Sequence, residues 1–404
     1  MIGPGDGRTD LPPADPLAWI NAEAEARRAA GLARRLDPLG PTTPGHVAGP
    51  DGRPLVHFAS NDYLGLAADP RVVEAGREAA RDYGWGSGAS PLVSGWRGPH
   101  RDLADALAAF EGTEAATLFP SGFAANLGTI AALVGPGDAV YSDRLNHASI
   151  FDGIRLSGAR ARIYPHNDAG RLGEILRRDR GRFRRSLIAT DGVFSMDGDL
   201  APLAGLAELA DRFGAILLVD EAHGTGVFGD GGRGAAEALG VADRVDVTVG
   251  TLSKALGSVG GFAAGSRRLI DHLINHSRSL IYSTALPMAA AAAALRALEI
   301  VRAEPERRAT LRRLSDQARD GLAALGWPRD PGWGPIVPVI LGDPGRAVAA
   351  SAACRERGLL VPAIRPPTVP RGTSRLRASL TAAHRDEEVA ALLGVLAKFA
   401  GDPP

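Results

Sequence analysis

From about residue 55 to residue 287 the chain alternates short apolar runs with Ala-rich stretches of helical character. The runs Ala115–Phe119, Ala139–Tyr141, Arg160–Tyr164, Ser186–Thr190, Ala215–Val219 and Asp246–Gly250 have the length of strands. Turns rich in Gly, Ser or Asp follow them. The gaps leave room for crossover helices, and strands that alternate with helices predict an α/β fold around a mostly parallel sheet. Met288 to Leu325 predicts long helices. Beyond it, strands at Ile336–Leu341, Leu359–Val361 and Leu376–Leu380 and helices at Ala347–Arg357 and Asp386–Phe399 suit a small α+β domain. Trp19 to Leu36 predicts a helix, and the Gly- and Pro-rich stretch from Leu39 to Pro54 a linker. The expected organisation is an N-terminal segment and helix over 1–54, a large domain over 55–287 and a small C-terminal domain over 288–404.

Composition narrows the function classes. A chain of 404 residues, 45% of them hydrophobic, can bury the core of a large domain and a smaller one. Lys plus Arg equals Asp plus Glu at 46 each, so neither a nucleic-acid glove nor a polybasic membrane anchor is expected. The run Arg177, Arg178, Arg180, Arg182, Arg184 and Arg185 reads as a solvated helix end and loop. The single cysteine, Cys354, excludes an internal disulfide and suits a reducing compartment. Met1 to Pro16 has no basic stretch followed by an apolar core, so a disordered lead is expected rather than a signal peptide. Met288–Leu295 is too short to span a bilayer. A cytoplasmic protein is expected.

In an open parallel sheet, ligands sit beyond the carboxyl ends of the strands. There the chain carries Ser121-Gly122-Phe123, Asn146-His147, Asp191 to Gly198, Asp220-Glu221-Ala222-His223 and Thr251-Leu252-Ser253-Lys254. Each piece alone fits a helix cap or a solvated charge; their coincidence at successive strand ends is the signal. No phosphate loop of the Gly-x-x-x-x-Gly-Lys-Ser/Thr kind is present, and Gly84, Gly86 and Gly88 do not continue into a dinucleotide fingerprint. A zinc-hydrolase helix of the His-x-x-x-His kind is not expected, nor is a resident metal.

The segments Val219 to Gly224 and Thr251 to Gly257 resemble pyridoxal-phosphate (PLP) enzymes of fold type I, the class II aminotransferase-like group. Within that group the chain is similar to the α-oxoamine synthases. The segments Ser60 to Leu66, Asp143 to Ser149, Asp191 to Gly198 and Pro367 to Arg377 match that family in order, and the likeness runs from about Trp19 to Phe399. The resemblance implies a seven-stranded, mostly parallel sheet, PLP as cofactor and a homodimer with shared active sites. It makes Lys254 the lysine that carries the cofactor as a Schiff base and removes the Cα proton. It sets Asp220 against the pyridinium nitrogen, His147 on the ring face, and His223 and Ser195 near the ring oxygen. Gly122, Phe123 and Thr251 would hold the phosphate, with Ser283 and Thr284 reaching it from the neighbouring subunit; the same pair also reads as a helix cap before Ala285. Arg377 would clamp the amino-acid carboxylate, with Asn61 near the substrate carbonyl. Arg34, Arg365 and Thr368 fall on the substrate side.

Family members join a small amino acid to an acyl thioester and release carbon dioxide. Ile364 to Pro370 is most similar to the biotin-pathway branch, which uses L-alanine and a pimeloyl thioester; Arg155 to Arg160 and Ala26 to Ala30 point the same way. Pimeloyl-CoA and a pimeloyl-acyl-carrier protein both stay open as donors. The alternatives are another α-oxoamine synthase, using glycine or serine with a different acyl-CoA, and a non-catalytic subunit on the same fold. Such subunits typically lack the lysine that Lys254 supplies here. Two departures stand out: Glu221 occupies a position where many alanine users have Asp, and the Gly229–Gly234 loop is longer than common, which would reshape acyl access.

Overall fold

The computed structural model describes residues 15–401 except 31, 35, 330, 331 and 333. Its centre is a seven-stranded sheet of β1 (Ala115–Phe119), β2 (Ala139–Asp143), β3 (Arg160–Tyr164), β4 (Ser186–Asp191), β5 (Ile216–Asp220), β6 (Val247–Thr251) and β7 (Gly261–Gly265). The spatial order is β1-β7-β6-β5-β4-β2-β3, parallel except for β7, which runs antiparallel between β1 and β6. The strands read as continuous apolar runs because both faces are covered. Along β5, Leu217 and Val219 enter one core cluster and Leu218 the other, all with no exposed surface. Burying each such side chain contributes about 1.5–3 kcal/mol.

Register carries the pattern into the site. In the β4–β5 pair Asp191 stands opposite Asp220, and in the β6–β7 pair Thr251 stands opposite Gly261. Two carboxylates and a hydroxyl therefore come to one edge of the sheet. The chain leaves β2 for β3 on one side and returns to β4 on the other, so the crevice between β2 and β4 is a topological switch point.

The long helices expected after Met288 are Met288–Ala303 and Glu306–Ala324. A three-stranded sheet joins Ile336–Gly342, Ser374–Ser379 and Ala363–Ile364. Arg375 and Arg377, two apart on Ser374–Ser379, point the same way, toward Asp197 and the Ser195 carbonyl. Among the described residues, no helix is long and apolar enough to cross a membrane.

Three expectations need correction. The N-terminal helix is Ala18–Ala29 and stops short of Leu36; none of its residues is buried, so little beyond intrinsic propensity extends it. Gly31 and Arg35 lie outside the described residues, as does the expected lead over residues 1–14. The stretch from Leu39 to Pro54 is not simply a linker. It holds strands Thr42–Thr43 and His46–Ala48, which pair onward to Pro54–His57 and from there to Leu359–Leu360 near the other end of the chain. Finally, His272 and His276 do stand four apart on the helix Arg267–His276, their rings stacked at 4.1 Å. His272 Nε2 bonds the Ala132 carbonyl at 2.9 Å, and among the described residues no group of three His, Cys, Asp or Glu is placed to hold a metal.

Candidate active site

A cavity of about 190 Å³ opens at the carboxyl edge of the sheet. Gly122, Phe123, His147, Ser195, Asp220, His223, Thr251 and Lys254 all line it, so the strand-end residues do converge. Asp220, at the end of β5, is buried; its carboxylate accepts from Asn126 Nδ2 at 2.5 Å and from the Ala222 N–H at 2.8 Å. Asn126 Nδ2 also donates to Ser149 Oγ at 3.0 Å, and that hydroxyl lies 2.7 Å from His147 Nδ1. His147 caps the helix Ala148–Ser157 and is exposed, with Phe123 edge-on to its ring at 6.2 Å. Its backbone N–H donates to Asp191 Oδ2 at 3.0 Å, tying the loop after β2 to the end of β4.

These surroundings tune the titrating groups. Burial brings Lys254 down from 10.5 to about 8, against the opposing pull of Asp220 and Asp191. The protein packed against part of the His147 side chain desolvates it and lowers its pKa too, with Asp220 opposing and Lys254 adding to the shift. Burial, then the charge of Asp220, pushes Asp191 well above the usual carboxylate range, and its Oδ1 has no partner among the described residues. Only two of the 46 basic residues are lysines, and the other, Lys398, is exposed on the short turn Ala397–Phe399.

A phosphorylated aromatic aldehyde fits this arrangement. Ser121 Oγ accepts from Ala124 N–H at 3.1 Å and its carbonyl from Ala125 N–H at 3.0 Å, so the Gly122 and Phe123 N–H groups at the helix start remain for an anion. A Cβ on Gly122 would lie 3.2 Å from Thr251 Cβ; glycine lets the helix start close onto that hydroxyl. Opposite lie an amine that is neutral at mildly basic pH, a carboxylate and an exposed imidazole. Capture of PLP by the cofactor-free chain should therefore speed up with pH and level off above about 8, which stopped-flow absorbance would follow. The same depression fixes a stability trend. Between about 8 and 10.5 the unfolded chain binds a proton that the folded chain does not. The cofactor-free fold should gain stability as pH rises through that window.

Other expected residues lie apart. Arg377 is buried behind Ser195: Nε donates to the Ser195 carbonyl at 2.6 Å, and Nη1 to Asn61 Oδ1 at 3.3 Å and Ser379 Oγ at 2.7 Å. Arg34 Nη2 donates to Thr368 Oγ1 at 3.2 Å; neither these two nor the half-buried Arg365 lines the cavity. Ser283 and Thr284 line a separate cleft with Pro91, Trp96 and His100. Glu221 accepts from the Ala235 and Ala236 N–H groups at 2.8 Å each, which anchors the end of the Gly229–Gly234 loop, and burial moves its pKa up to about 7. Asn126 and Ser149 were not assigned a role from sequence. The available signal was spacing: Asn126 sits one helical turn past Gly122, and Ser149 two residues past His147.

A protein from Anaeromyxobacter dehalogenans named 8-amino-7-oxononanoate synthase is 55% identical over 388 residues, which cover 96% of this chain and 97% of that protein. The family model for class I and II aminotransferases matches residues 53–396. The chain belongs to that family, in its 8-amino-7-oxononanoate synthase branch. Among solved structures, SPT with its PLP internal aldimine superposes with a TM-score of 0.89 at 32% identity, covering 95% of this chain and 97% of that one. An 8-amino-7-oxononanoate synthase from Francisella tularensis superposes with a TM-score of 0.73 at 29% identity, covering 85% and 97%. Neither backbone likeness nor identity to these two structures separates the branches; the 55% identity to the Anaeromyxobacter protein does. PLP is the cofactor, and the chain is a PLP-dependent acyltransferase.

Proposed function

We propose that the chain joins L-alanine to a pimeloyl thioester, carried by CoA or by an acyl-carrier protein, and releases carbon dioxide and the free thiol to leave 8-amino-7-oxononanoate for biotin synthesis. The observation that carries this reading is the convergence of Lys254, Asp220 and His147 on one cavity in a chain 55% identical to a synthase of that name. PLP, when bound, supplies an electron sink for bond breaking at Cα. Lys254, neutral above about pH 8, is the base for the Cα proton. Asp220, fixed by Asn126 and Ala222, holds negative charge at the ring-nitrogen end. His147 offers its exposed ring as a stacking face, and the Gly122 and Phe123 N–H groups with Thr251 receive the phosphate. Arg377 takes the alanine carboxylate through Nη2, while Nε and Nη1 are held by Ser195, Asn61 and Ser379. Residues 55–287 form the cofactor-binding domain in this reading, and the C-terminal domain brings Arg377. Buried, unpaired Cys354 accords with a reducing cytoplasm.

The test is product formation from alanine, glycine or serine, each with pimeloyl-CoA and with pimeloyl-carrier. Alanine should be preferred, with glycine a slow substrate, because one methyl discriminates by only about 1–3 kcal/mol. Productive turnover of glycine without any of alanine would overturn the reading. Arg377→Ala should weaken alanine binding by about tenfold or more while PLP stays bound, since the lost contact is to the carboxylate. Spectral titration with alanine measures it.

The same reading includes a homodimer. Leu92, Val93 and Tyr282 are between 56% and 79% exposed, and the Pro91–Gly95 segment packs beside the stretch that carries Ser283 and Thr284. Apolar residues clustered in this way suit a protein interface. Ser283 and Thr284 then serve the partner's phosphate site. Mixing Lys254→Ala chains with Ser283→Ala/Thr284→Ala chains should restore about a quarter of normal activity, because each mixed dimer keeps one intact site. No recovery in dimers shown to have exchanged would count against sharing.

A further inference from the structure

Tyr63 is fully buried and does not line the cavity, yet its hydroxyl joins two parts of the site. It lies 2.6 Å from His223 Nδ1 and donates to Asn61 Oδ1 at 3.1 Å. Asn61 Oδ1 also receives Arg377 Nη1. Proton counting orders these bonds. A guanidinium only donates, so the Asn61 atom facing Arg377 is the carbonyl oxygen. That oxygen only accepts, so Tyr63 places its one proton there. The phenol oxygen is then left as an acceptor toward His223, and Nδ1 must carry a hydrogen. Burial, then the charges of Lys254, Arg377 and His147, hold His223 well below its ordinary pKa, so its imidazole is neutral. Burial raises the Tyr63 phenol, which keeps its proton. A neutral imidazole with hydrogen on Nδ1 has a bare Nε2.

The geometry points to Tyr63 as a positioning residue that holds His223 in the Nδ1–H tautomer, with Nε2 facing the cavity as an acceptor, and that does so through Asn61 and Arg377. The link to substrate rests on the reading of Arg377 as the carboxylate site. Without Asn61, the Tyr63 proton is free to turn to His223 Nδ1, and the imidazole then carries its hydrogen on Nε2. Tyr63 would thus decide whether the cavity meets a donor or an acceptor at this position.

The test is nitrogen-15 NMR of histidine-labelled, full-length chain freed of PLP, with the His223 signals assigned by their loss in His223→Gln. The unaltered chain should show hydrogen on Nδ1 and a bare Nε2. Tyr63→Phe and Asn61→Ala should both move the hydrogen to Nε2; Asn61→Ala leaves Tyr63 in place, so a shift there is not a packing effect of losing the phenol. In the loaded enzyme, Tyr63→Phe should lower kcat by about tenfold or more while alanine KM changes by less than about threefold. Hydrogen on Nε2 in the unaltered chain, an unmoved tautomer in Asn61→Ala, or an effect of Tyr63→Phe on KM alone would overturn the assignment. Should Tyr63→Phe fail to fold, the other two spectra decide. The spectra need no substrate, so their failure leaves the alanine reading standing, and a failed alanine assay leaves the tautomer result standing.

Discussion

Replacing Lys254 with alanine is expected to lower turnover by about 10⁴-fold or more, the largest loss of any single change here. Its amine enters the cavity from the turn after β6 and is kept reactive by burial, which brings its pKa to about 8. No neighbour can take its place: the other lysine, Lys398, is exposed on the turn at Ala397–Phe399. His147 and His223 can hold a proton but not a covalent link to an aldehyde carbon of the same kind. The check is product formation by the variant beside borohydride reduction and peptide mapping of the unaltered holoenzyme. A label on Lys398, or a variant within tenfold of normal turnover, would remove Lys254 from its role.

Asp220→Asn is expected to cost about 10³-fold in kcat, since it keeps the shape of the side chain and removes a preorganised charge. Asn126 and the Ala222 N–H hold that carboxylate at 2.5 and 2.8 Å, which fixes its place in the cavity. The paired strand supplies a partial understudy. Asp191 stands opposite Asp220, and burial first and the Asp220 charge second make it hold its proton more tightly than an ordinary carboxyl. Without that charge Asp191 ionises more readily. The residual activity of Asp220→Asn should therefore rise with pH more steeply than that of Asp220→Asn/Asp191→Asn. Equal profiles for the two variants would show that Asp191 does not contribute.

Much of this site was legible because strand ends are punctuated. His147, Asp220, Thr251 and Lys254 each follow an apolar run, and a parallel sheet brings such positions together without any knowledge of side-chain packing. Strand β7 was not legible in the same way. Gly-Phe-Ala-Ala-Gly has no β-branched residue; it is a strand paired on both sides, and glycine is needed at its start because a Cβ on Gly261 would lie 2.5 Å from the Ser121 carbonyl oxygen. The contact of Arg34 with Thr368 spans 334 residues, and the pairing of Pro54–His57 with Leu359–Leu360 is comparably remote. No local pattern encodes either. Tyr63 belonged to a matched segment, but its use depends on Asn61, Arg377 and His223 meeting from three separate stretches of chain.

The scarcity of lysine bears on selectivity. Arginine carries almost all of the basic charge, and a guanidinium stays protonated where an ammonium can lose its proton and attack a carbonyl. A free aldehyde diffusing to this protein meets one competing side-chain amine, Lys398, and that one is in solvent. Lys254 has the lowered pKa and the anion cradle beside it. Discrimination between productive and stray attachment is thus divided between a site that attracts the aldehyde and a surface nearly devoid of lysine side chains that would divert it.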